Sequence, residues 1–100
     1  MAQLSTLGII RTTMNQRAII SHLKQAKEEL DRTIADIESD VSYDSEAFQV
    51  AMSHLYHHLN TAWNGRDATE ERHIECSQSD FDAWRKFPSN SDLLLDDLDA

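Results

Sequence analysis

The chain has 100 residues with two glycines, one proline, one cysteine and a net charge of -9, and 40% of it is hydrophobic against 27% charged. That length and composition allow one globular domain with a thin core and argue against disorder, while the scarcity of breakers disfavours an all-β fold. The acidity argues against sequence-independent binding to nucleic acid or an anionic membrane, and no N-terminal stretch has the unbroken apolar run of a signal peptide or an integral membrane segment.

Cys76 is the only cysteine, so no intramolecular disulfide can form, which fits a reducing cytoplasmic location. Charge is unevenly placed. Residues 1–27 carry Arg11, Arg17, Lys24 and Lys27 and no acid, which is +4 and leaves -13 for residues 28–100. The basic start is expected to lie against acidic surface of the same chain or of a second copy. Leu4, Leu7 and Ile10 opposite Arg11 and Arg17 would also suit an amphipathic membrane-surface segment.

Three parts are expected: a basic and apolar segment (1–13), a helical domain (14–88) and an acidic tail rich in leucine (89–100). The first long helix is predicted from about residue 14 to 39, where Ile20, Leu23, Leu30, Ile34 and Ile37 recur at helical spacing and Ile19, Ala26 and Thr33 widen the stripe. Positions 20, 23, 27, 30, 34, 37 and 41 fit a heptad seam in which Lys27 is the polar member that fixes register. Thr13 with Gln16 reads as a capping box at its start.

Ser39 to Glu46 is a run of turn and cap residues, so the next helix should return antiparallel and form a helical hairpin. That second helix is predicted from about 45 to 64, with Phe48, Ala51, Met52, Leu55, Leu59, Ala62 and Trp63 on one face. Gly65 then falls where a left-handed C-cap is wanted. Asp67 with Glu70 suggests a capped short helix to about Cys76, and Ser79 a further one carrying Phe81, Trp84 and Phe87 and ended by Pro88. These aromatics are expected to close the open side of the hairpin.

His54, His57 and His58 crowd the second helix. With about 100° per residue and Leu55 at the centre of the buried stripe, His58 falls about 60° to one side, His54 about 100° to the same side, and His57 about 160° away, facing solvent. The i, i+4 pair His54 and His58 has the spacing at which two imidazoles on one helix can share a metal ion, although Leu55 stands where the helical zinc-protease motif has its glutamate. A hairpin folded symmetrically about Val41–Ser42 sets His22 near Thr61, roughly a turn from His58, as an awkward third ligand; Cys76, with His73 three residues before it, is another. The plainer expectation is that His54 and His58 are boundary residues beside acids such as Glu28 and Asp31.

A two-helix hairpin leaves apolar surface open, which favours a homodimer in the form of a four-helix bundle. Ile19, Ile20, Leu23, Lys24 and Lys27 are the candidate partner-binding residues of the helical face, and Leu94, Leu95 and Leu98 those of the acidic tail, which could also dock in another protein's groove. The sequence is therefore read as an all-α, non-enzymatic protein-protein interaction module of the cytoplasm with no cofactor, serving as adaptor, regulator or assembly factor. The second reading is a metal- or ligand-binding helical protein, which could be an enzyme, built on the histidine pair of the second helix.

Overall fold

The computed structural model describes residues 14–95, which form four helices: α1 (Gln16–Ser39), α2 (Ser45–Asn64), α3 (Glu70–Glu75) and α4 (Gln78–Trp84). The segment 1–13, with Thr13 and its proposed capping box, and the end of the tail with Leu98 lie outside the described residues. The fold is all-α, and α1 packs along α2 as an antiparallel hairpin.

Local signals fix the ends of each helix. The Asn15 side chain accepts the Ala18 N–H at 3.1 Å and so caps α1. In the turn, Asp40 accepts from the Ser42 N–H at 2.9 Å and the Ser42 hydroxyl at 2.6 Å, and Asp44 then caps α2 through the Ala47 N–H. Thr69 caps α3 and Ser77 caps α4, each two residues away from the cap expected from sequence. Capping depends on which side-chain oxygen reaches the N–H three residues on, and the many Ser, Thr and Asp residues here offer several candidates per end.

Asn15 also ties the start of α1 to the far end of the hairpin. Its N–H donates to Arg66 O at 2.7 Å, and its side-chain amide donates to Ala68 O at 3.1 Å and Glu70 Oε1 at 3.3 Å. Short helices are joined similarly. Arg72 pairs with Asp80 at 2.6 Å between α3 and α4, and Asn64 donates to Trp84 O at 2.8 Å and Lys86 O at 2.6 Å while Asn60 donates to Arg85 O at 3.1 Å. Two amides of α2 thus satisfy the carbonyls that the end of α4 leaves open.

Gly65 ends α2 as expected but with φ of -98°, not in the left-handed region. Its glycine is required by crowding. A Cβ there would meet His73 Cε1 at 2.8 Å, Thr61 O at 3.1 Å and Trp84 Cε2 at 3.2 Å. Gly65→Ala should therefore destabilise the fold by roughly 1–3 kcal/mol through overpacking. An unchanged urea midpoint would show instead that α3 gives way freely. The left-handed cap occurs one helix later, at Cys76 with φ of 42°.

The core of the hairpin is built mainly from small side chains. Buried apolar residues are Ala18, Ala26, Ala51, Leu55, Ala62 and Trp84, joined by Thr33, Asn60 and Thr61. The two long helices therefore meet through small side chains, which let their backbones approach closely. The heptad seam does not face α2. Ile20, Leu23, Leu30, Ile34 and Ile37 remain between 43% and 53% exposed, and Lys27 pairs with Asp31 at 3.1 Å on the surface.

The open stripes of the two helices share one side of the hairpin. At about 100° per residue, the exposed line of α1 is turned roughly 100° from its contact with α2. Phe48 and Leu59, also exposed, with half-buried Met52 and Trp63, are turned by a similar angle on α2, and the antiparallel arrangement brings both lines to the same side. α3 and α4 cover the opposite side, against His22 and against Asn60 and Asn64. The aromatic segments thus close one face of the hairpin and leave the apolar one open.

Beyond α4 the chain turns back along α2. Leu93 and Leu95 line a groove of about 400 Å³ with Tyr56, Leu59, Trp63 and Phe87, whereas Leu94, with φ of 58°, points outward.

Candidate functional site

Three histidines from three helices converge on the covered side of the hairpin. His22 Nδ1 of α1 lies 3.3 Å from His58 Nδ1 of α2, and the His73 ring of α3 lies 6.1 Å from the His22 ring between centroids. Asn15 paired with Arg66 and His22 with His58 set the pivot of the hairpin near Asp40 at this level, not at Val41–Ser42. His22 therefore meets His58 directly and does not lie a turn away beside Thr61.

His73 is held from two sides. Its Nε2 donates to Gly65 O at 2.8 Å, and its ring stacks on buried Trp84 at 4.6 Å between centroids. With the proton on Nε2, Nδ1 keeps its lone pair. The crowding around Gly65 is what places this ring.

The other expected site residues fall elsewhere. His54 is exposed, with Nδ1 3.7 Å from Glu29 Oε1, so Glu29 is the acid beside it, and neither Glu28 nor Asp31 is. His57 does not simply face solvent: it is half-buried, with its ring 5.4 Å from that of His58 and 5.8 Å from that of Phe81. Cys76 is a free, exposed thiol. Among the described residues, no three His, Cys, Asp or Glu side chains already stand in ligating positions together. The pair His22–His58, with His73 as the next ring, comes nearest.

Burial and then repulsion by His58, His73 and His57 lower the pKa of His22 from its ordinary value to about 4. His58 is lowered by burial and His57, against a raising effect of Glu29. Both imidazoles are neutral at pH 7. In metal-free protein the unfolded chain takes up a proton at His22 near pH 6.5 that the folded chain refuses until about pH 4. Stability from this group is complete above 6.5 and falls as pH drops towards 4. With Glu29, Glu70 and Arg17 also near this cluster and His22 only half-buried, the loss should be roughly 1–2 kcal/mol after screening. Urea melts across that range in chelator-washed protein read it, and His22→Gln should flatten the profile.

The fold and this cluster define the chain as a small all-α hairpin protein with a half-buried histidine centre and one open apolar face. No family model, curated protein or solved structure matches it. No described helix is long and apolar enough to cross a membrane.

Proposed function

We propose that the chain is a homodimeric helical interaction module of the cytoplasm, without catalytic activity, that pairs with a second copy through the open faces of α1 and α2 to make a four-helix bundle. The observation that carries this reading is the continuous apolar face of Ile20, Leu23, Leu30, Ile34, Ile37, Phe48 and Leu59, each 37–53% exposed, beside a core built largely from alanine. A monomer with that core leaves its best burial unused.

The area is of the right size for a second copy. Seven half-open side chains offer on the order of 600 Å² per chain, so two copies together reach the ~1,200 Å² at which stable interfaces begin. A face shared with its own copy is self-complementary under two-fold symmetry. Ile20 and Leu23 belong to it, Lys27 lies within it as its polar member, Ile19 borders it, and Lys24 is turned away at about 100° per residue. Adaptor or assembly roles would then use what the dimer leaves outside, including outward Leu94.

Sedimentation equilibrium of the untagged protein tests the proposal. A mass of two chains at roughly 10–100 µM, dissociating on dilution, is expected. A single-chain mass throughout that range overturns it.

A further inference from the structure

We infer that His22, His58 and His73 are the protein ligands of a transition-metal site of the zinc class, one per chain, with water completing a tetrahedral set. The site is independent of the apolar face, since it lies on the side covered by α3 and α4.

Geometry carries the inference. Two nitrogens bound at ~2.0–2.1 Å to one tetrahedral zinc stand ~3.3–3.4 Å apart, and His22 Nδ1 and His58 Nδ1 are 3.3 Å apart. As a hydrogen bond that spacing is long, and it demands that one ring carry its proton on Nδ1. With both protons on Nε2, two lone pairs would face each other across the gap, which is the arrangement a cation needs. Their ring centroids are 5.6 Å apart, and that of His73 is 6.1 Å from His22. A tetrahedral three-imidazole site at the same bond lengths needs ~5 Å between each pair of centroids, so His73 has to move in towards both His22 and His58 for the set to close.

His73 is prepared as a ligand by its surroundings. Its Nε2–H is held by Gly65 O, the backbone-carbonyl partner that fixes tautomer and ring direction for a metal-bound imidazole. The three rings are half-buried, which shields a bound ion from bulk water. Three imidazoles and no thiolate suit zinc, copper(II) or nickel(II) better than calcium or magnesium, and a tetrahedral arrangement favours zinc among these.

Chelator-washed full-length protein titrated with ZnCl₂ by calorimetry is expected to bind one zinc per chain with a Kd of about 1 µM or tighter, and cobalt(II) to give the visible bands of a four-coordinate ion. His22→Gln and His58→Gln should each weaken zinc binding about a hundredfold or more, and His73→Gln at least tenfold, whereas His54→Gln leaves it unchanged. A control that needs no substitution is the NMR of the imidazole nitrogens. Zinc should shift Nδ1 of His22, His58 and His73 and leave His54 in place, even if a variant fails to fold. Wild-type binding weaker than about 1 mM, or zinc shifts confined to His54 and His57, would overturn the inference and leave the 3.3 Å contact as a hydrogen bond between two imidazoles.

Discussion

Ile34→Asp is expected to raise the dimer dissociation constant about a thousandfold and to leave a folded monomer. Ile34 is 53% exposed in the single chain, so aspartate there meets water and costs the monomer only its helix propensity, about 0.5 kcal/mol. Across a two-fold interface the same change acts twice. Each copy loses roughly 2–3 kcal/mol through missing apolar burial and a desolvated carboxylate, so the pair loses ~5 kcal/mol, or three orders of magnitude and more in Kd. Ala35→Asp, exposed and turned about 100° further around α1, is the matched control and should change Kd less than threefold. If both variants behave alike in sedimentation, the stripe is not where copies meet.

Trp84→Ala should remove most of the stability of the monomer fold, by ~3–5 kcal/mol. Trp84 is the one large aromatic among the buried apolar residues, at 6% exposure. Its ring carries His73 on one face, crowds Gly65 and lies 5.5 Å from the Arg72 guanidinium, so its loss leaves a cavity bordered by α3 and the end of α2. At ~4–8 °C per kcal/mol for a domain of this size, Tm should fall by well over ~12 °C. Zinc affinity should drop as well, because His73 loses the surface that orients it. A loss below about 1 kcal/mol in urea melts would mean that α4 contributes little to holding the fold.

How much of this was legible in the sequence can be judged element by element. The spans of α1 and α2 follow from apolar periodicity and from the Ser39–Glu46 turn, and both match closely. Periodicity identifies an apolar face without saying which neighbour covers it. It leaves open whether Leu23, Leu30 and Ile34 meet α2 or a second copy, and the hairpin closes on Ala18, Ala26, Ala51 and Ala62. Small residues carry weak hydrophobic signal but allow the closest backbone approach. The i, i+4 spacing pointed to His54 with His58, whereas the rings that meet come from different helices. Only the register of the hairpin, near Asp40, brings His22 into reach, and a pivot displaced by one or two residues moves it by most of a turn. His73 was legible only as the neighbour of Cys76, because its place beside His22 depends on the missing Cβ of Gly65. Asn60 and Asn64, also spaced i, i+4, did carry a readable sign, since two amides on one face of a helix end can serve another helix's open carbonyls.

That pair of amides has a consequence for motion. α4 spans seven residues, Gln78–Trp84, too short to persist alone, and its terminal carbonyls are held by Asn60 and Asn64 of the last turns of α2. Neither end can then open without exposing the other. In hydrogen exchange the backbone amides near the end of α2 and those of α4 should lose protection together, with one opening free energy and one dependence on denaturant, while the middle of α1 exchanges more slowly.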